Sequence, residues 1–233
     1  MVLATTETCT AADTGMVAAA TNFRFRQFLY RHFVNMASTL RTTTVTNSAG
    51  KTLLNNGYPY QPGQVIEYLA SPCDGSSMIG LSGTYVTTNV TSAQVLNASY
   101  ADITGSSITY TPPAGTTRVM YRYDFDSYWQ TTAHSITHFK FFIDGVEVVY
   151  ARHCRSMQYL EYRSTFEWII PIGGDANTNT GRLATWTTGK ILKLQARRYA
   201  AGSNGQDLNG TTYWDGTSGN QFGQPQISII AIA

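Results

Sequence analysis

His134-Ser-Ile-Thr-His-Phe-Lys-Phe-Phe-Ile-Asp-Gly-Val-Glu-Val-Val-Tyr-Ala-Arg-His153 decides the fold class. Two strand-forming runs, His134–Ile143 and Val146–His153, flank Asp144-Gly145. An Asp-Gly pair accepts positive φ at both central positions of a two-residue turn, and such turns close hairpins because their twist matches that of the strands. Upstream, Arg118-Val-Met-Tyr-Arg-Tyr-Asp-Phe-Asp-Ser-Tyr128 alternates cleanly, the pattern of a strand with one buried face. Downstream, Gln226-Ile-Ser-Ile-Ile-Ala-Ile-Ala233 is apolar and β-branched with no helical period. It reads as a strand buried on both faces or nearly so, which makes this end part of the core and leaves the N-terminal end for attachment.

Further strands are expected at Val65–Ala70, Tyr85–Thr91, Val95–Ile103, Ser107–Thr111, Tyr159–Ile170, Lys190–Tyr199 and Leu208–Trp214. Turn signals separate them, among them Pro72-Cys-Asp-Gly-Ser-Ser77 and Pro112-Pro-Ala-Gly115. With no helices between the strands, the sheets must be mainly antiparallel, and an all-β sandwich or jelly roll is predicted over residues 64–233. No fixed-period repeat is visible, which counts against a propeller or solenoid.

Composition agrees with this reading. Charged residues are 13% of the 233, about half the usual quarter, while Thr, Tyr and Phe are plentiful and favour strands. A low charge density suits a surface covered by partner subunits. The net charge of +2 gives no basic stripe of the kind that coats nucleic acid. Residues 1–63 hold five basic groups (Arg24, Arg26, Arg31, Arg41, Lys51) against Glu7 and Asp13, and the remainder holds eleven against twelve. Cys9, Cys73 and Cys154 have no metal-knuckle spacing and are read as reduced, packed thiols made in a cytosol. Met1-Val-Leu-Ala-Thr-Thr-Glu7 does not read as a signal peptide, and no run is long enough for a membrane span.

Residues 1–63 are expected to form an N-terminal arm, a helix and a linker. Residues 1–20 are small and polar. Phe25, Phe28, Leu29, Phe33, Met36 and Leu40 then make one apolar stripe at helical spacing, with Arg24 and Arg31 off it. Aromatic residues interleaved with arginine also suit a single-strand platform or a membrane-surface helix. Three arginines are few for either, and the stripe is broad enough to demand burial. We therefore assign Phe25, Phe28, Leu29, Phe33, Met36, Arg24 and Arg31 to docking on another protein, with neither nucleic acid nor membrane as partner.

The blocks TPPAGTTRVMYRYDFDSYW, HSITHFKFFIDGVEV, FEWII, KILKLQ and TTYWDGTSGNQFGQPQISIIAIA, all between Tyr110 and Ala233, carry a more specific likeness. Together they resemble the C-terminal jelly-roll domains of structural proteins from tailed phages and large algal viruses, which are similar to the trimeric TNF-like jelly roll. Pro62-Gly-Gln-Val-Ile-Glu67 resembles the first strand of such heads. The resemblance implies a virion component made in the host cytoplasm. It would be a homotrimer attached through its N-terminal segment to a major capsid, portal or tail protein. Capsid decoration (cement) and short fibre are both consistent with it. Rival readings are a tail-fibre or spike head that binds a host receptor or surface glycan, and a secreted TNF-like or carbohydrate-binding module. In such a fold the last strand lies beside the first, so the chain enters and leaves at one end and the loops at the other end face outward.

Catalytic signals are thin, and the protein is expected to be no enzyme and to need no cofactor. His134 and His138 share a strand face, as do Asp124 and Asp126 with Arg118 and Arg122. The histidines could hold a metal only with a carboxylate from a neighbouring strand or subunit, and Asp124 and Asp126 could hold a cation or act as an acid–base pair. The histidines are read as polar face residues and the aspartates as solvated or arginine-paired. Tyr121, Tyr123, Phe125, Phe139, Phe141, Trp168, Trp186 and Trp214 are read as core or interface packing. Receptor or partner contacts are expected on loops, at Asp175, Asn177 and Asn179 and at Trp214, Asp215 and Asn220.

Overall fold

The computed structural model describes residues 44–46, 52–55, 60–128, 135–157, 161–199, 207–211 and 221–233. The predicted arm and helix, with Arg24, Phe25, Phe28, Leu29, Arg31, Phe33 and Met36, lie outside them, as do Cys9, His134, Trp214, Asp215 and Asn220.

Eight strands build the head: β1 Val65–Pro72, β2 Ile108–Tyr110, β3 Arg118–Tyr128, β4 Ser135–Ile143, β5 Val146–Met157, β6 Glu161–Pro171, β7 Lys190–Arg198 and β8 Gln226–Ile232. One sheet runs β1-β8-β3-β6 and the other β2-β7-β4-β5, with every pairing antiparallel. Apart from the β4–β5 hairpin, successive strands pass between the sheets in the interleaved order of a jelly-roll sandwich. Ala101–Asp102 prolongs the β2 edge, and Asp207–Leu208 continues beyond β8 along β3.

Local chemistry explains these elements. Asp144 and Gly145 have φ of 53° and 80°, and Ile143 pairs with Val146 across them. The turn is therefore of the primed kind that the sequence demanded. In β3, Val119, Tyr121, Tyr123 and Phe125 point inward and are at most 1% exposed. Tyr121 packs on Phe141 with ring centroids 5.0 Å apart, and Phe125 packs on Phe139 at 5.7 Å. These contacts join the two sheets. Buried tyrosines need partners for their hydroxyls. Tyr121 donates to Ser106 O (2.6 Å) and Tyr123 to Thr104 O (2.8 Å), which pins the turn before β2.

β8 is the seat of the fold. Ile229 lies between Leu69 of β1 and Tyr121 of β3 and is fully buried. Around the common end of these strands, Gly63 N–H donates to Ala233 O and Ala233 N–H to Gln64 O. The chain thus enters beside its last strand, as the resemblance implied.

Between β1 and β2 the strands are shorter than expected. Tyr85–Thr91 is ladder only at Thr84–Val86, and Val95–Ile103 only at Gln94–Val95 and Ala101–Asp102. Side chains replace the missing ladder. Thr87 Oγ1 donates to Pro72 O, while the Gln94 amide donates to Asp102 O and accepts from Thr104 N–H, both at 2.8 Å. Cys73 is a buried free thiol, pushed up to about 12 by burial and by Asp74. Cys154 is free but exposed, so it is no packing thiol.

Truncation at the seat leaves a cavity between two sheets. Ile229→Ala is expected to cost about 2–5 kcal/mol, measured by chemical denaturation. A pH effect arises at His153, which is stacked between Phe139 (4.8 Å) and Phe166 (5.5 Å). Burial, and then the charge of Arg155, lowers its pKa. Below the unfolded value of about 6.5 the unfolded chain takes the proton first, so stability falls as pH drops from there towards the folded value. His153→Phe should flatten that part of the stability–pH curve. An unchanged slope would remove His153 as its source.

Candidate functional site

Sheet register places four apolar side chains in one row across the outer face of β1-β8-β3-β6. Tyr68 pairs with Ile230, Ile230 with Met120, and Met120 with Ile169. Tyr68 is 64% exposed and Ile169 49%. The neighbouring row adds Val65, 51% exposed, opposite Ile232. In the other direction the face turns polar through Ala70, Ser228, Arg122 and Glu167, and then Gln226, Asp124 and Thr165. A shallow groove runs along this boundary, lined by Tyr68, Met120, Arg122, Asp124, Gln226 and Ile230. An apolar row of this kind on a solvent-facing sheet is a candidate contact surface.

Alternation along β1 breaks where it meets β8. A bulge between Ala231 and Ile232 shifts the register, and both Ile66 and Glu67 turn inward. The buried Glu67 carboxylate accepts from Tyr110 OH (2.7 Å), Ser82 Oγ (2.6 Å) and Ser82 N–H (3.0 Å). Those donors satisfy a charge that burial would otherwise penalise. Gly80 lies against the same carboxylate, and a Cβ there would collide with it. The apolar row thus stands on a rigid base.

The carboxylates singled out in β3 are structural. Arg122 donates twice to Asp124, at 2.9 and 3.1 Å, and Thr165 Oγ1 donates to the same group. Asp126 is 3.5 Å from Arg163 on β6, so its cation comes from the neighbouring strand and not from Arg118. Burial alone would raise the Asp124 carboxyl, but Arg122 and Thr165 outweigh it and hold it below the usual range. Among the described residues no three His, Cys, Asp or Glu side chains gather as a metal site.

The loop after β6 departs from expectation. Ile172 N–H donates to Thr117 O and Thr117 N–H to Ile232 O, so this loop begins at the end where the chain enters and β8 finishes. It does not lie at the end opposite Gln64 and Ala233, where outward loops were expected. Asp175, Asn177 and Asn179 are exposed on it. Asn177 Oδ1 is occupied within the loop, accepting from Asn179 N–H (3.0 Å) and Thr180 N–H (3.3 Å). Asn179 O accepts from Tyr150 N–H, and Trp168 Nε1 donates to Thr180 O. These bonds fasten the loop against the edges of both sheets.

The predicted aromatic core is realised in Tyr121, Tyr123, Phe125, Phe139, Phe141 and Trp186, all buried, with Trp168 packed on its margin. The exposed Tyr68–Ile169 row was missed, because no single strand shows it. Its signal is the apolar residue on the polar phase of an alternating strand, Met120 in β3 being the clearest. No protein-family model matches the chain, and no curated protein matches it.

A carboxylate held low in the folded state stabilises above its unfolded pKa and loses that contribution as pH falls through the folded value. Asp124→Asn should therefore lower stability at neutral pH by about 0.2–1 kcal/mol, the range for partly exposed pairs. The difference from the parent should vanish in acid below the folded pKa, as read by urea midpoints across pH.

Proposed function

We propose that the chain is a non-enzymatic structural component of a virus particle. In this reading it is a homotrimer whose jelly-roll head is held to the particle by residues 1–63, acting as capsid decoration or as a short fibre. The observation that carries it is the outward row Tyr68, Ile230, Met120 and Ile169, exposed at both ends and half-buried between. Leaving these side chains in water is unfavourable, and a neighbouring copy that covers them gains roughly 25 cal/mol for each Å² removed from solvent. Two arginines on this face are already paired, Arg122 with Asp124 and Arg163 with Asp126, so covering them strands neither charge.

Three further observations support the reading. The interleaved strand order is that of the viral heads the sequence resembles. Charged residues are scarce, which favours permanent contacts over a freely soluble monomer. The stretch before β1 is short and holds a two-stranded hairpin, Thr44–Thr46 with Thr52–Asn55, where the sequence suggested only a linker or turn. So short a connection suits a head seated close to a shell or tail adaptor better than one raised on a long shaft. The partner would be a major capsid, portal or tail protein, docked through the stripe Phe25, Phe28, Leu29, Phe33 and Met36.

Sedimentation equilibrium tests the assembly. The chain should sediment at three times 25.6 kDa. Ile169→Lys should sediment as the monomer with an unchanged far-ultraviolet dichroism spectrum, because Ile169 lies outside the core. A parent chain at the monomer mass would overturn the proposal.

A further inference from the structure

The second sheet presents a different outer face, one that the apolar row does not explain. On β4 and β7, His138 stands opposite Arg197, Lys140 opposite Gln195, and Phe142 opposite Lys193. Tyr100 lies beside this face, with Lys140 Nζ 4.4 Å and the Arg197 guanidinium carbon 5.1 Å from its ring centre. Tyr199 stacks on His138 with centroids 6.0 Å apart and is 64% exposed. Tyr150 on β5 is 65% exposed.

Charge on this face does not balance. Glu147 is shared by Lys140 (3.0 Å) and Arg152, and Asp102 is taken by Lys193 and the Gln195 amide. Among the described residues no carboxylate pairs with Arg197. Two acids therefore stand against Lys140, Arg152, Lys193 and Arg197, and the surplus is positive at Tyr100.

We propose that this face binds an acidic saccharide, a sugar chain that carries carboxylate, sulfate or phosphate groups. The exposed ring of Tyr199 offers a flat apolar surface with a polar tip, which suits the C–H face of a sugar ring. Lys140 and Arg197 supply charge-assisted hydrogen bonds to the acidic group, and Gln195 lies opposite Lys140 to meet a hydroxyl. A protein partner fits less well, since interface centres are depleted in charge and this one is rich in it. Nucleic acid fits less well too, because the acids Glu147 and Asp102 interrupt the surface and no basic stripe runs across it. The inference rests on a head displayed at a particle surface, where a host polysaccharide is within reach. Sedimentation mass reports on assembly and saccharide binding on this face, so the two readings fail separately.

The test uses the whole purified chain against an array of neutral, carboxylated, sulfated and phosphorylated oligosaccharides, followed by titration of the best binder. Saturable binding to acidic saccharides and not to their neutral counterparts is expected, weakening as salt is added. Arg197→Gln and Lys140→Gln should each weaken it roughly tenfold, the loss of about one charge-assisted hydrogen bond. Tyr199→Ala should weaken it as well, while Arg182→Gln on the loop after β6 should leave it unchanged. Thermal melts check folding, and if Arg197→Gln unfolds, Lys140→Gln and Tyr199→Ala decide. Absence of saturable binding to every acidic saccharide would overturn the proposal. So would an equal loss in Arg182→Gln, or equal affinity for single-stranded DNA of matching charge.

Discussion

Every other part of the head depends on the pairing of Gln226–Ile232 between Val65–Pro72 and Arg118–Tyr128. β8 has ladder partners on both edges and buried side chains on its inner face, so it carries the sheet from β1 across to β3 and β6. Removing it would expose the inner residues Leu69 and Tyr121 and leave two unpaired strand edges. The bulge at Ala231 and Ile232 is a consequence of the same pairing, because it turns Glu67 into the network that holds Ser82 and Tyr110.

The two outer faces of the sandwich have opposite chemistry although they share one core. On β1-β8-β3-β6 the apolar residues align across strands, and Arg122 and Arg163 pair with Asp124 and Asp126. On β2-β7-β4-β5 the outward residues are cationic and aromatic, and the acids between them are too few. Burial against an apolar surface favours the first arrangement, where apolar side chains line up. Contact with a hydrated anion favours the second, where charge is left to complement. Because the two faces lie on separate sheets, the residues of one can change without disturbing the other.

Much of this was readable from residues alone. Asp144-Gly145 set a hairpin that the φ angles match, and the alternation in Arg118–Tyr128 placed the inner and outer side chains of β3 correctly. Both signals are local, a turn and a period of two. Residues 84–103 misled because their Thr and Tyr content favours strand, while Thr87 and Gln94 take over backbone hydrogen bonds through their side chains. The inward turn of Glu67 could not be foreseen, since it follows from a bulge shared with a distant strand. The same holds for both outer surfaces. Tyr68 and Ile169, or Tyr100 and Arg197, become neighbours only once sheet order is fixed. Docking of the Phe25–Met36 stripe falls outside the described residues.

The central seat of β8 also imposes an order on folding. Leu69 and Ile229 are partners although 160 residues separate them. Closing so long a loop gives no return until the last strand arrives, so a chain of this topology should fold slowly compared with one built from neighbouring hairpins. The β4–β5 hairpin can form early from its own turn, while β1 and β3 hold open the slot that β8 fills. Until then their edges are bare templates for pairing with another molecule. During synthesis the first sheet stays incomplete until residue 232 has cleared the ribosome. The outward row on that sheet is assembled only as the slot closes, so any partner that reads it meets a finished surface only after the head has folded.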